Sequence, residues 1–413
     1  MIRILKSTDV TRVLARRAAR MDEAEAIVRP ILEAVRKRGD KGLLEYARQF
    51  DGLTRKSVRV PVAELSAAAN RLTPQFISAV EEASHNVRAY AEKQLPKESF
   101  SSYSKGRKLG QIVRPLDTIG AYIPAGRYPL PSTLIMTAVP AQVAGVANIC
   151  VACPKAVDEV YGVAQRLGLN QVFQMGGAQA IAAFAYGTKT VPRADRIVGP
   201  GNIYVAAAKR LLAGEVGIDF VAGPTEILII AAEADARFLA ADMLAQAEHD
   251  TDASAILLTT SRRLAERVEK QLEIQLSTLS TAAVARKAID KNSAIVLVDS
   301  LDEAVEISNR FAPEHLAIHH AELIPKIRHA GSVFVGPFSP EAAGDYCSGP
   351  NHVLPTNGVA RLRGGLSAAD YVKVISVQQL DATALRKLAP SITTLARAEG
   401  LEAHARSVEV RLV

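Results

Sequence analysis

Hydrophobic positions recur at helical spacing through the first hundred residues. Between residues 26 and 95 the apolar side chains of Ile27, Ile31, Leu32 and Val35 repeat every three or four positions, which places them on one face of a helix. The pattern predicts helices from residue 1 to about residue 95, among them an Arg-rich surface helix over residues 12–20.

From residue 110 onward, short apolar runs alternate with helical stretches. The runs predict strands at 120–124, 146–153, 196–199, 227–232, 254–259, 294–298 and 331–335. The intervening stretches predict helices at 133–143, 157–167, 178–186, 203–212, 262–279 and 301–311, with another that runs through His249. A succession of strand and helix predicts an α/β fold with parallel sheets covered on both faces. Beyond about residue 370 the tail is predicted to be helical from Leu380 to His404, with a short edge strand over residues 408–413.

Composition narrows the class of protein. A chain of 413 residues that is 48% hydrophobic is long enough for two major domains with small appendages. The net charge of +7 is spread along the chain and there is no Trp, which argues against a nucleic-acid interface. No apolar stretch approaches the roughly 18 residues that a membrane span requires, and no secretory leader precedes the first helix, so we expect a cytoplasmic protein.

Cys150 and Cys153 have the spacing of a redox or zinc motif. They lie at the end of an apolar run that predicts a buried strand, and no second pair of this spacing occurs. We therefore expect structural thiols that are buried in a reducing compartment.

Two polar pairs interrupt the apolar pattern. Gln246 and His249 are three residues apart in a helical segment, so both side chains project from one face and can hold one ion. A packing or surface histidine is the alternative. Glu314 and His315 follow a proline and precede an apolar run, so we expect them at the mouth of a strand, where α/β enzymes place reactive groups. An imidazole beside a carboxylate can act there as a general base, and a surface pair on a loop is the alternative.

Further candidates lie in turns and in the tail. The turn-rich segment 344–352 carries Asp345 and His352. Taken by themselves, Glu399 and His404 in the tail have the pattern of solvated helix residues. Glycine turns at 175–179 and 198–202 precede helical stretches and could hold a small anion. The sequence has neither the glycine motif of dinucleotide sites nor a P-loop.

Taken together, these segments resemble one enzyme family. Residues 218–226 (IDFVAGPTE), Gln246-Ala247-Glu248-His249, Ala312-Pro313-Glu314-His315-Leu316 and the segment 344–356 are similar to motifs of histidinol dehydrogenase, and the resemblance extends from about residue 20 to the C-terminus. It implies oxidation of L-histidinol to L-histidine through L-histidinal in two NAD-dependent steps.

The resemblance also implies roles for individual residues. One zinc ion per subunit would be held by Gln246, His249, Asp345 and a His404 that comes from the partner of a homodimer. His315 would remove the alcohol proton and Glu314 would activate water. Substrate contacts would come from the four metal ligands, His315 and the set Thr225, His352 and Glu399, and NAD contacts from Tyr122, Gln179 and Asn202.

The domain organisation that the resemblance implies is that of two incomplete Rossmann-like domains. The catalytic and metal-binding domain would comprise residues 26–121 and 236–368, and the NAD-binding domain residues 122–235. A helical extension would cover residues 1–25, and a dimerisation tail residues 369–413. The chain departs from the family pattern at Thr225, where serine is common, and at residues 124–129, where a Gly-Gly turn is common; the latter departure bears on cofactor or entrance contacts.

Other functions use the same residues. A related zinc- and NAD-dependent dehydrogenase of another small polar alcohol would share the scaffold. A zinc hydrolase could activate water with the same ligands and the Glu-His pair, and would turn over without NAD. A non-catalytic binding module would have no use for an unligated Glu-His pair beside a metal.

Overall fold

A six-stranded parallel sheet carries most of the candidate site residues. The computed structural model describes residues 2–10, 21–125, 129–155 and 157–412. The order of the strands in this sheet is β1-β11-β10-β9-β12-β13, and all neighbours are parallel. The strands are β1 (Arg3–Lys6), β9 (Glu226–Ile230), β10 (Ser254–Thr259), β11 (Ala294–Leu297), β12 (His315–Ile318) and β13 (Ser332–Val335).

Helices cover both faces of this sheet. Alternate residues of β9 enter different cores: Ile227 and Ile229 pack in one, Leu228 and Ile230 in the other, as a strand buried on both sides requires. The helices are α9 (Ala236–Ala247), α10 (Arg262–Leu276), α11 (Ala282–Asn292) and α12 (Leu301–Phe311).

The second parallel sheet has five strands, in the order β6-β5-β4-β7-β8. Its strands are β4 (Thr118–Tyr122), β5 (Asn148–Ala152), β6 (Gln171–Phe173), β7 (Arg196–Val198) and β8 (Gly217–Ile218). The helices between them are α5 (Pro131–Ala144), α6 (Asp158–Arg166), α7 (Gly177–Tyr186) and α8 (Ile203–Leu212).

The N-terminal helices pack on the five-stranded sheet. Val28 and Leu43 lie in one core with Ile181, and Leu65 and Val87 lie in the other core of this sheet. These helices are α1 (Met21–Arg38), α2 (Asp40–Asp51), α3 (Val62–Arg71) and α4 (Pro74–Gln94).

The two parallel sheets have the same strand order, which we call the winding. When the strands are numbered along the chain, starting from β4 in one sheet and from β9 in the other, the order across each sheet is third, second, first, fourth, fifth. Strand β1 adds an edge to the larger sheet. The winding reverses beside the first strand, and the crevice at such a reversal is where open α/β sheets bind ligands.

A small antiparallel sheet and a helical tail complete the chain. The sheet has the order β14-β3-β2, and short 3₁₀ turns cover Ser7–Asp9, Ala321–Lys326, Val359–Arg361 and Ala368–Tyr371. The remaining elements are β2 (Ser99–Ser104), β3 (Arg107–Pro115), α13 (Glu341–Tyr346), β14 (Val372–Leu380), α14 (Ala382–Ala398) and α15 (Glu402–Glu409). Among the described residues, no helix is both long and apolar enough to cross a bilayer.

The predicted fold class is confirmed, whereas several boundaries differ. Residues 3–6 form strand β1 rather than part of a helix, because they find a parallel partner in β11 that lies far along the chain. The predicted helix over 12–20 lies outside the described residues, as do residues 126–128 of the departure at 124–129. The predicted edge strand at 408–413 is wrong, because α15 extends to Glu409 and Val410 ends it in helical geometry.

Sheet membership also differs from the predicted domains. Helices α1 to α4 pack in the two cores of the five-stranded sheet, although residues 26–121 were assigned to the domain of residues 236–368; of the latter, Val353 and Leu366 share a core with Val87 of α4. Strand β4 lies in the five-stranded sheet, although the boundary was placed at residue 121, and β9 lies in the six-stranded sheet, although residues up to 235 were assigned to the NAD-binding domain. Periodicity shows that an element has an apolar face, but it does not show which sheet covers that face.

The predicted burial of Cys150 and Cys153 is confirmed. Cys150 and Cys153 are both fully buried, and burial raises the pKa of the two thiols to about 12 and about 11. Thiols that stay protonated at neutral pH have the character of packing groups.

Candidate active site

The candidate catalytic residues lie at the amino edge of the six-stranded sheet. His315 opens β12 directly opposite Ile227 of β9, so Thr225 and Glu314, which immediately precede these strands, lie at the same edge. The end of α9 brings Gln246 and His249 back to this edge before β10 begins. The residues lie where helices end and parallel strands begin, and Glu314 and His315 are at the mouth of β12.

Glu314 is a buried carboxyl that is held by two donors. Its Oε2 accepts hydrogen bonds from Thr225 Oγ1 at 2.5 Å and from the Glu226 amide at 2.9 Å. Burial raises the pKa of Glu314 to about 8, against the effect of these two hydrogen bonds. A carboxyl whose pKa lies near the working pH can act as a general base.

His315 is a buried neutral imidazole with one nitrogen available. Burial lowers its pKa to about 3, and a hydrogen bond to the Glu226 backbone opposes that shift. Within the described residues Nε2 is buried without a hydrogen-bond partner, so the backbone bond falls on Nδ1 and sets the tautomer. The lone pair on Nε2 is therefore available for a proton, 3.9 Å from Asp345 Oδ1.

Metal-type donors converge beside His315. His249 Nε2 lies 3.8 Å from Asp345 Oδ2, and single donor atoms of His249, Glu341 and Asp345 all lie within 4.8 Å of one another. Burial raises the pKa of Asp345 to about 6, and the neighbouring His249 opposes the rise. Imidazole nitrogen with carboxylate oxygen is a donor set that suits zinc and also manganese or cobalt.

Gln246 lies between this cluster and Glu314. It is fully buried, and its amide oxygen faces Thr225 Oγ1 at 2.7 Å when the amide nitrogen is turned towards Glu341. In the other orientation the amide nitrogen donates to Thr225 Oγ1 at 2.7 Å and the amide oxygen is turned towards Glu341, as the oxygen of a metal ligand would be. Three of the four predicted ligands, Gln246, His249 and Asp345, are thus brought together.

Glu341 is a site residue that the sequence analysis missed. When the Gln246 amide nitrogen is turned towards Glu341, the two carboxylate oxygens lie 2.7 and 3.0 Å from it, and Oε1 lies 3.7 Å from His315 Nδ1. Burial, with repulsion from Asp345 and Glu314, raises its pKa well above the usual value. Glu341 and Asp345 are four residues apart on α13, a spacing that places both on one helix face and that could have revealed the pair.

His352 connects the site to the other sheet. Its Nδ1 lies 2.7 Å from the backbone oxygen of Asp345 and its Nε2 lies 3.1 Å from Thr133 Oγ1 in α5. Burial lowers the pKa of His352 to about 4. Both ring nitrogens therefore have protein partners, and the neutral ring joins the segment that carries Asp345 to a helix of the five-stranded sheet.

Glu399 and His404 are not brought to this cluster by their own chain. Glu399 ends α14 and His404 lies in α15, and both are exposed. In the part of the chain that the structure describes, no hydrogen bond or ion pair connects either residue to Gln246, His249 or Asp345.

The predicted NAD contacts meet at the carboxyl edge of the five-stranded sheet. Tyr122 ends β4, and its hydroxyl accepts a hydrogen bond from the Gly177 amide at 3.2 Å. Asn202 follows β7 and caps α8 through its side-chain oxygen. Gln179 lies in α7, fully buried, and donates to Asp51. Because β4 and β7 flank the reversal of the winding, Tyr122 and Asn202 lie on either side of the expected crevice.

A glycine permits the close approach of these two strands. Gly199, which directly follows β7, has φ +108°, and a Cβ atom there would lie 2.2 Å from the backbone oxygen of Tyr122. Any side chain would therefore push the two flanks of the crevice apart.

Comparison with known proteins gives one family. The profile of the family described as Histidinol dehydrogenase matches residues 14–412. The chain is 46% identical over 392 residues to a histidinol dehydrogenase of Bacillus thuringiensis subsp. konkukian, covering 93% of this chain and 91% of that one. It is 47% identical to that of Geobacter sulfurreducens, covering 97% and 96%.

A solved structure has the same fold. The crystal structure of histidinol dehydrogenase from Elizabethkingia anophelis superposes with a TM-score of 0.96 at 35% identity, covering 100% of this chain and 98% of that one. The chain therefore belongs to the histidinol dehydrogenase family.

Proposed function

We propose that this oxidoreductase converts L-histidinol into L-histidine through L-histidinal, with two NAD+ reduced per substrate. The observation that carries the proposal is the pair at the start of β12: a neutral His315 with an unpartnered Nε2, next to a Glu314 carboxyl whose pKa lies near 8. The His315 imidazole suits the removal of a hydroxyl proton, and the Glu314 carboxylate suits the activation of water.

The chain's own residues would move the protons. His315 Nε2 takes the proton of the substrate hydroxyl as a hydride leaves the same carbon, which gives the aldehyde. Glu314 then takes a proton from water as the water oxygen adds to the aldehyde carbon, and His315 returns its proton to the aldehyde oxygen, which gives the hydrate and restores the neutral imidazole. His315 takes a hydroxyl proton of the hydrate as the second hydride leaves, which gives the carboxylic acid. When bound, NAD+ accepts each hydride and the cation holds the amino and imidazole nitrogens of the substrate.

The donor cluster supports one zinc ion per subunit. Gln246, His249 and Asp345 would hold it together with His404 of the partner subunit in a homodimer. The separation of His404 from the cluster in its own chain is consistent with this arrangement. Glu399 would reach the substrate from the partner in the same way, while Thr225 and His352 would contact it from the chain that carries the cluster.

The crevice beside β4 and β7 would take the cofactor. Tyr122 and Asn202 lie on either side of the reversal of the winding, and Gln179 lies in the first turn of α7 beside Tyr122; this is the place where open α/β sheets bind dinucleotides. A dinucleotide in this crevice would bind without the standard glycine motif, which the sequence lacks.

The test is a stoichiometry assay on purified protein with L-histidinol and NAD+. We expect two NADH for each histidinol consumed, with histidine as the product. One NADH per substrate would leave the second step without support. Turnover of another small alcohol in preference to histidinol would change the substrate, and turnover without NAD+ would indicate a hydrolase.

A further inference from the structure

A carboxylate from outside the five-stranded sheet reaches its carboxyl edge. Asp51 is the last residue of α2, and its Oδ2 accepts hydrogen bonds from the Gly176 amide at 2.9 Å and from Gln179 Nε2 at 3.0 Å. A Cβ atom at Gly176 would lie 2.8 Å from Asp51 Oδ1 and 2.5 Å from the Cβ of Pro154. Asp51 is therefore next to the segments that follow β5 and β6, the second and third strands of the winding.

The charge of this carboxylate is not neutralised by an ion pair. Within the described residues no Lys or Arg forms an ion pair with Asp51, and both of its hydrogen bonds fall on Oδ2, which leaves Oδ1 as an unused acceptor. Burial raises the pKa of Asp51, and the hydrogen bonds from Gln179 and Gly176 oppose the rise. The carboxylate also occupies the start of α7, so a phosphate group of a ligand would be repelled from that helix end.

The strand order relates the position of Asp51 to a position with a known role in dinucleotide-binding sheets. In dinucleotide-binding sheets of this kind, an acidic side chain after the second strand accepts a hydrogen bond from the 2′-hydroxyl of the adenosine ribose. Here β5 is followed by Cys153, Pro154 and Lys155, none of which is acidic. The carboxylate at this place comes instead from α2.

We propose that Asp51 accepts a hydrogen bond from the ribose 2′-hydroxyl of NAD+ and repels the 2′-phosphate of NADP+, so that it determines which dinucleotide the enzyme uses. This inference rests on the proposed function, since it assumes that the dinucleotide lies in the crevice beside Tyr122. It adds a specificity-determining residue that the sequence motifs did not reveal.

The main experiment compares two variants that each remove one negative charge from α2. Asp51→Asn keeps the shape of the side chain and an acceptor for the Gly176 amide. Asp40→Asn is the matched control at the other end of the helix, where the carboxylate accepts from the Thr190 amide and hydroxyl. Both are assayed with L-histidinol and either NAD+ or NADP+, and thermal unfolding of each variant is recorded.

We expect Asp51→Asn to raise the ratio of kcat/KM for NADP+ to that for NAD+ by at least about tenfold, since a like charge a few ångströms from the phosphate is removed. Asp40→Asn should leave the ratio unchanged. If Asp51→Asn lowers kcat/KM equally for both dinucleotides, Asp51 only positions Gln179 and the inference is overturned.

A second measurement needs no variant. Inhibition of NAD+ reduction in the unmodified enzyme is compared for ADP and for adenosine 2′,5′-bisphosphate, and we expect ADP to bind at least about tenfold more tightly. Equal inhibition overturns the inference even if Asp51→Asn does not fold. If the unmodified enzyme forms no NADH from L-histidinol, the proposed function fails, and that result is distinct from an unchanged dinucleotide ratio in an active enzyme.

Discussion

At the scale of single residues, the proposed proton transfer depends most on the tautomer of His315. A backbone hydrogen bond takes up one nitrogen, and burial keeps the ring neutral, so the base is ready before substrate binds. His315→Asn removes the base at Nε2 while leaving the predicted metal ligands Gln246, His249 and Asp345 in place. We expect NADH formation from L-histidinol to slow by about two to four orders of magnitude, the usual contribution of a general base.

The control for His315→Asn is its metal content, measured on the same preparation. We expect that content to match the unmodified protein, because His315 is not among the predicted ligands. A slow variant that has lost its metal would not assign the proton transfer to His315, and turnover at the normal rate would remove His315 from the mechanism.

Glu314 gives a prediction on pH. Its pKa is raised to about 8 by burial, and only the deprotonated carboxylate can accept a proton from water. NADH formation from L-histidinal should therefore rise with pH through about 8 and level off above it. Glu314→Gln should remove this rise and slow the aldehyde step by about two to four orders of magnitude, measured as rate against pH for both proteins. A profile that is the same in both would exclude Glu314 as the water-activating base.

At the scale of elements, a buried ion pair holds the turn that leads into α8. Lys209 Nζ lies 2.7 Å from Asp219 Oδ1 and 2.6 Å from the Gly199 oxygen, while Asp219 Oδ2 accepts from the Gly199 amide at 2.8 Å. The side chains are 3% and 0% exposed, so removing one partner leaves an uncompensated buried charge. Lys209→Met should therefore lower the free energy of unfolding by roughly 3 to 5 kcal/mol.

The matched control for Lys209→Met is Lys291→Met. Lys291 pairs with Asp252 at 3.6 Å, but both side chains are about half exposed, and such pairs contribute roughly 0 to 1 kcal/mol. Denaturant unfolding of the two variants should show a clear difference. Equal effects would show that the pair between Lys209 and Asp219 does not stabilise the turn.

Elements with strong periodicity were predictable, and those that depend on distant partners were not. Strands β10 and β11 and helix α12 lie where the pattern places them. Strand β1 was missed because four residues acquire strand structure only through pairing with β11, and β2 because its Ser-rich residues are exposed throughout. The local pattern holds no information on such pairings.

The site residues divide in the same way, into those that a local pattern predicts and those that depend on distant parts of the chain. Gln246, His249 and Glu314 with His315 were found because each pair is local in sequence. Glu341 was missed because the segment around Asp345 has the composition of a loop, although residues 341–346 form a short helix. Asp51 was missed because only the packing of α2 brings it to the sheet edge.

At the scale of the whole molecule, the two sheets contribute different edges to one region. The candidate catalytic residues lie at the amino edge of the larger sheet, and the predicted cofactor contacts lie at the carboxyl edge of the smaller. Contacts with α5 connect them: His352 reaches Thr133, and Asn351 Nδ2 donates to the Met136 oxygen at 2.6 Å. His352 and Asn351 thus join the segment that carries Asp345 to the sheet that carries Tyr122.

The tail gives the prediction that concerns more than one chain. If the site uses His404 of the partner subunit, a dimer of one His404→Asn chain and one His249→Asn chain contains one intact site, made of His249 from the first chain and His404 from the second. Random mixing of the two inactive variants makes half of the dimers mixed, so about a quarter of all sites should be active. The measurement is NADH formation after dissociation and reassociation of the mixed subunits.

The control pairs His249→Asn with Asp345→Asn, two changes in the same cluster of one chain. Of the two sites in that mixed dimer, one lacks His249 and the other lacks Asp345, so no activity should return. Restoration in the control as well, or in neither mixture although mixed dimers form, would contradict the assignment of His404 to the neighbouring site.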